Sequence, residues 1–323
     1  MSKQTELPVQ KSEILFLYES TYSVPNGDPF TGEQRYDEET KRVLVSDVRI
    51  KRYIRDYLAE THPPIYVVGD KVVTDDGTKS KTASSRFKEL QAQFKGTPAL
   101  DVVLKCIDVR LFGAVVAIKK DDKKKKAGEQ KAEETENKKD EKAFNITGPV
   151  QFALLNPSLN RVDLRMHQNT SVFSSSEEKS QGAIGTTTVV PYSVNQIHGW
   201  INPYSAVHTG LKEDDISLML KALWQSVNNA NTRTKSNQNS LLLLQIVYSD
   251  ATRKLYGIDR MIALKSEKQD EQIRSSDDYT LDFSKLQEKI QSDDVVKTVR
   301  FYTEHSSIKN ALSLKKFEDM GKL

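Results

Sequence analysis

Six basic residues, Lys41, Arg42, Arg49, Lys51, Arg52 and Arg55, stand between positions 41 and 55 against a single acid, Asp47. Guanidinium and ammonium groups at this density suit phosphate, whose oxygens accept forked, charge-assisted hydrogen bonds and whose counterions are released on binding. The spacing is helical. At about 100° per residue, Ile50, Tyr53, Ile54, Tyr57 and Leu58 fall within an arc of about 140°, with Arg49, Lys51, Arg52 and Arg55 opposite. Two readings stay open at this level: a grip on a polyanion, or a solvated face. Solvated faces usually mix signs for i,i+4 pairing, and this one mostly does not.

Other chemistry is sparse. Asp28 or Asp37, in the loop ahead of the basic helix, could position a 2′-hydroxyl for RNA cleavage. Neither has a nearby histidine, and turn geometry for Asp28 and solvation for Asp37 account for both. The chain has no Walker loop, G-x-G-x-x-G, H-E-x-x-H or G-x-S-x-G. Gly182-Ala183-Ile184-Gly185 has no strand before it and no helix after it, so it reads as a loop. The one cysteine, Cys106, excludes an intramolecular disulfide, and its apolar neighbours favour a buried thiol. The five histidines are scattered, so no metal and no cofactor is expected.

The elements that must carry the basic cluster are legible. Ile14 to Tyr18, extended by Thr21, Tyr22 and Val24, is an apolar run that suits a central strand covered on both faces. Asn26-Gly27 is read as a positive-φ turn and Pro29 as a stop. Ser46 or Asp47 caps a helix over Val48 to Ala59. Beyond His62-Pro63-Pro64, Ile65 to Val73 reads as a hairpin turning at Gly69-Asp70, Ser84 to Phe94 as a helix, and Ala99 to Val109 as another. Lys119 to Lys142 holds ten lysines and eight acids with no aromatic or branched aliphatic residue, so it is expected to be a mobile loop. Ile146 to Leu155 reads as a strand with a bulge or edge at Gly148-Pro149. A polar stretch from Pro157 to Gly185 carries isolated Leu164, Met166, Val172 and Phe173. Thr186 to Trp200 is a strand, and Asp214 or Asp215 caps a helix packing through Leu218, Leu220, Leu223, Trp224 and Val227. A polar loop with Arg233 and Lys235 leads to the buried strand Ser240 to Tyr248.

Without the insertions this is strand, helix, strand, strand, helix, strand. The expected fold is α+β, a ferredoxin-like or RRM-like split βαβ with both helices on one face of a four-stranded antiparallel sheet. One domain spans 1–323, with an inserted region over 60–143, a second insertion over 157–185 and a C-terminal extension over 251–323 that carries further strand and helix signals, notably Asp294 to Tyr302, and is expected to pack on the core. The strand around Val189 lacks the aromatic pattern of RNA-stacking RRMs, so any RNA is expected along the loop and helix. Net charge is only +3 in 323 residues, which leaves the case for a polyanion to local clustering. The first eleven residues are polar and no stretch is long and apolar enough for a membrane span, which suits a cytoplasmic protein.

Pro25-Asn26-Gly27-Asp28-Pro29 followed by Val45 to Asp56 resembles the backbone subunit of type I CRISPR Cascade complexes, in the Csh/Csd branch of subtypes I-B and I-C. Asp108-Val109-Arg110-Leu111-Phe112-Gly113, Ile146 to Gln151, and Val190-Pro191-Tyr192 leading to Thr209-Gly210-Leu211 extend the resemblance over most of 13–248. It implies a non-catalytic subunit whose palm binds guide RNA (crRNA) and whose copies stack head to tail beside other Cascade subunits, presenting the guide to target DNA. A thumb, here 157–185, would kink the RNA. The implied RNA-binding residues are Arg35, Arg42, Arg49, Lys51, Arg52, Arg55, Gly148, Gln151, Met166, Phe173 and Arg233. Two other functions remain at this level: a type III-like backbone ribonuclease using a loop Asp, and a stand-alone RNA-binding module.

Overall fold

The computed structural model describes residues 7–69, 71–74, 77–116, 143–170, 184–312, 316–321 and 323. The charged stretch Lys119 to Lys142, and Val172 and Phe173, lie outside the described residues. The main sheet is built from β1 (Ser12–Ser23), β2 (Val150–Phe152), β3 (Arg165–Thr170), β4 (Ile184–Ile201), β5 (Gln238–Tyr248), β6 (Val296–Tyr302) and β7 (Phe317–Asp319). Helices are α1 (Asp47–Thr61), α2 (Ala83–Gln93), α3 (Ala99–Leu104), α4 (Ile107–Phe112), α5 (Pro203–Thr209), α6 (Glu213–Asn228), α7 (Ser284–Ser292) and α8 (Ser306–Ala311). The architecture is α+β.

The strand order is β3-β4-β1-β5-β6-β7, with β2 beside β4. β1 is central and antiparallel to both neighbours, from Ser12 opposite Ile201 to Ser23 opposite Val190 on one side and from Ser12 opposite Val247 on the other. Alternation along β1 sends side chains to two cores. Ile14, Phe16 and Tyr18 pack with Ile50, Ile54 and Leu58 of α1 and Met219, Leu223 and Trp224 of α6. Leu15 and Leu17 pack on the opposite face with Leu255, Ile258, Phe283, Leu286 and Ile290 of the C-terminal extension. All three α1 side chains are fully buried, and each contributes about 1.5–3 kcal/mol. The near-continuous apolar run of β1 therefore has the cause the sequence suggested: both faces are covered.

Several finer expectations need correction. The hairpin after α1 comprises Lys71–Thr74 and Gly77–Ser80, beyond the Gly69-Asp70 position. The single helix expected over Ala99 to Val109 is two, α3 and α4, meeting around Lys105 and Cys106. The run Ile146 to Leu155 is divided among Phe144–Thr147, β2 and Leu155–Pro157, each with a different partner strand. Gly148-Pro149 divides the first two. Neither Asn26 nor Gly27 has positive φ; in that loop the left-handed residue is Gly32, at φ 74°. Asp215 caps α6 from its third position, accepting the backbone N–H of Lys212 at 3.2 Å.

β4 runs six residues past the end of β1, and over Ile184 to Val189 it pairs with β3 alone. The two make a ribbon beyond the edge of the sheet, on which Met166 is 74% exposed. The stretch leading into it is tied down: Arg42 donates to the Ser158 and Leu159 carbonyls, the Tyr36 hydroxyl donates to the Val162 carbonyl at 2.5 Å, and Leu164 packs beside Val43, Val162 and Val190.

Candidate polyanion-binding groove

Ser46 caps α1, its hydroxyl accepting the Arg49 N–H at 3.3 Å. Asn26 holds that cap from the loop side, since its Oδ1 accepts both the backbone N–H and the hydroxyl of Ser46 at 2.7 Å. Asn26 thus docks the loop on the helix start. Asp28 builds the loop tip by accepting the Phe30 N–H at 2.9 Å, and its other oxygen pairs with Arg35 at 3.0 Å.

The basic side chains of α1 divide by what they touch. Arg55 turns inward to Asp108 at 3.2 Å and lies over the Phe112 ring. Asp108 is fully buried and also accepts the N–H groups of Tyr66 and Val67, at 2.8 and 3.0 Å. Burial holds the Arg55 guanidinium below its ordinary pKa, with Asp108 acting in the opposite direction. Lys51 is bound by Asp47 at 3.2 Å and by the Gln151 amide oxygen at 3.1 Å. Gln151 in turn donates to the Gly148 carbonyl at 2.9 Å. Gly148 has a packing reason to be glycine: a Cβ there would sit 2.1 Å from the Phe112 carbonyl carbon and 2.3 Å from the Gly113 nitrogen. Gly113, at φ 75°, meets the same constraint from the other side. With Arg110 gripping Asp215 through two bonds of 3.0 and 2.7 Å, the Asp108 to Gly113 block fastens α4 to α1, α6 and the 65–67 segment.

Arg49 and Arg52 face outward. With one flank of Arg55 they line a groove of about 1170 Å³ walled by α1, by the segment Val67 to Gly69, and by the end of α6 with the loop after it. The Arg49 guanidinium stacks on Tyr53, 4.2 Å from the ring centroid, and its buried Nε has no hydrogen-bond partner among the described residues. Arg52 pairs with Asp56 at 2.6 Å, both half-exposed. The groove also contains Lys235. Among the described residues its ammonium makes only long contacts of 3.4 Å, to the Val24 carbonyl and the Thr234 hydroxyl. Burial lowers its pKa and the nearby Arg49 lowers it further. Two cations thus share one end of the groove with no carboxylate between them among the described residues, while Asp56 and Glu60 lie toward the other. Neighbouring like charges without a counterion make an anion site.

Arg233 is exposed in the same loop as Lys235, with no hydrogen bond or ion pair among the described residues. Of the residues singled out in the sequence, the structure therefore gathers Arg49, Arg52 and the flank of Arg55 in the groove and sets Arg233 on its rim loop. Arg35, Arg42, Lys51 and Arg55 have protein partners, Gly148 and Gln151 belong to the α4 junction, and Met166 stands on the ribbon. Lys235 is a groove residue that the sequence places only in a polar loop between a helix and a buried strand, with no further signal for binding.

Cys106 is buried, and burial pushes its thiol up to about 12, which makes it inert. Among the described residues no group of three or more His, Cys, Asp or Glu side chains is placed to hold a metal ion, and no helix is long and apolar enough to cross a membrane.

The class defined so far is an α+β protein with a covered sheet and a cationic groove beside one helix. The profile of the family described as "CRISPR-associated protein Cas7" matches residues 10–284, and the chain belongs to that family. A curated relative of that description from Haloferax volcanii is 26% identical over 296 residues, covering 88% of this chain and 83% of the relative. A chain of a solved "CRISPR RNA-guided surveillance complex, pre-nicking" has the same fold at TM-score 0.52 and 14% identity, covering 96% of each chain.

Proposed function

We propose that this chain is a non-catalytic backbone subunit of a type I CRISPR interference complex, of the Csh/Csd branch, that grips guide RNA and oligomerises head to tail in the cytoplasm. The observation that carries the reading is the Arg49 and Lys235 pair: two adjoining cations, one stacked on an aromatic ring and one half-buried, with no acid among the described residues to neutralise them. Family membership makes guide RNA the polyanion. The groove reads phosphate and shape, so the bases stay free to pair with target DNA.

The order β5-β1-β4-β2, antiparallel throughout with α1 and α6 on one face, is the arrangement of a ferredoxin-like palm and supports that assignment. The C-terminal extension covers the face on which an RRM would stack bases, which favours the groove as the RNA path. The β3–β4 ribbon is the candidate thumb, with Met166 as its exposed apolar residue.

The ribonuclease alternative is disfavoured by the loop carboxylates. The Phe30 N–H chiefly holds the Asp28 carboxyl below its usual range, and the Thr40 hydroxyl does the same for Asp37. Both side chains already build turns, and a carboxylate so stabilised is a weak base. Native mass spectrometry of the protein on guides of increasing length tests the whole reading. The expected result is assemblies that grow stepwise with RNA length while added complementary RNA stays intact. One copy per guide at every length would make it a stand-alone module, and regularly spaced cuts lost in Asp28→Ala or Asp37→Ala would make it a nuclease.

A further inference from the structure

Arg52 lies in a berth that only glycine leaves open. Its guanidinium crosses the backbone of Gly69, where an added Cβ would fall 2.1 Å from Nη1, 2.6 Å from Nη2 and 2.7 Å from Cζ. Gly69 does not have the left-handed φ that would explain a glycine by conformation. What the missing side chain provides is space for Arg52. The berth has a fixed floor and a fixed side. The segment leading to Gly69 is held through the Tyr66 and Val67 N–H groups by buried Asp108, and Asp56 pairs with Arg52 Nε at 2.6 Å one turn along α1. A long, exposed arginine ordinarily samples many rotamers, and fixing it on a phosphate costs side-chain entropy. In this berth much of that ordering precedes binding.

We infer that Gly69 is a positioning residue for guide binding, keeping the Arg52 fork ordered at the groove wall. The inference rests on the groove being the RNA site. The obstacle to a methyl at 69 is the far end of one flexible side chain, so Gly69→Ala is expected to fold with the parent's melting temperature while displacing the guanidinium.

The test is a double-mutant cycle with Gly69→Ala, Arg52→Ala and the double variant, reading the affinity of full-length protein for a short single-stranded guide RNA across a salt series. Gly69→Ala is expected to weaken binding by roughly threefold to tenfold and to flatten the salt dependence, and to do neither in the Arg52→Ala background. An equal loss with and without Arg52, or no loss beside an effective Arg52→Ala, would overturn the positioning role and leave the groove standing. If Arg52→Ala itself binds like the parent, both the role and Arg52's place in the groove site fall.

Discussion

Exchanging the two adjoining groove cations, Arg49→Glu with Lys235→Glu, is expected to weaken guide RNA binding on the order of a hundredfold or more at moderate salt, for every guide sequence alike. Each lost phosphate contact removes about 0.7 from the slope of log affinity against log salt on a single strand, so the double variant's slope should be shallower by about 1.4. The sequence independence matters as much as the size, because contacts to phosphate carry no base information. The fold should survive: neither residue holds a carboxylate, and both are partly exposed in the groove. A titration by fluorescence anisotropy at several salt concentrations reads affinity and slope together. An unchanged slope would mean that these two cations are merely solvated.

Asp108→Ala should fail in a different way. The fully buried carboxylate satisfies two backbone N–H groups and the Arg55 guanidinium, so its removal strands three donors in the interior. Breaking a buried pair by deleting one partner costs about 3–5 kcal/mol, enough to unfold a marginal domain. Chemical denaturation should show the loss directly. Arg55→Ala should likewise lower stability while leaving the salt slope of guide binding near the parent value, because its side chain is directed at Asp108 and Phe112. A slope reduced by Arg55→Ala at unchanged stability would show that Arg55 reaches RNA after all.

Those two outcomes explain how far the sequence could be read. The core strands β1, β4 and β5, the helices α1 and α6 and the cap at Ser46 all follow from local apolar periodicity and cap chemistry, and they were legible. The cationic helix face was legible as composition, but its members were not distinguishable. Lys51 and Arg52 meet acids four residues away on the same helix, which sequence can suggest. Arg55 meets an acid 53 residues away, and Arg42 meets carbonyls more than 110 residues away, which periodicity cannot reveal. Lys235 enters the groove through the close pairing of its loop with the end of β1, where Val24 donates to the Thr234 carbonyl at 2.7 Å. The break at Cys106 and the division of Ile146 to Leu155 depend on which segment each half packs against, again a tertiary choice. The Asp108 to Gly113 block stood out as family-like, yet its residues here serve as fastenings: Asp108 to the 65–67 segment, Arg110 to Asp215, Gly113 to Gly148.

The groove reading is tested most directly by photocrosslinking a guide RNA to the assembled protein and sequencing the crosslinked peptides. The predicted crosslinks fall on α1 around Arg49 to Tyr53 and on the loop from Asn229 to Lys235. Crosslinks confined to the C-terminal extension over 251–312, on the opposite side of the sheet, would contradict it.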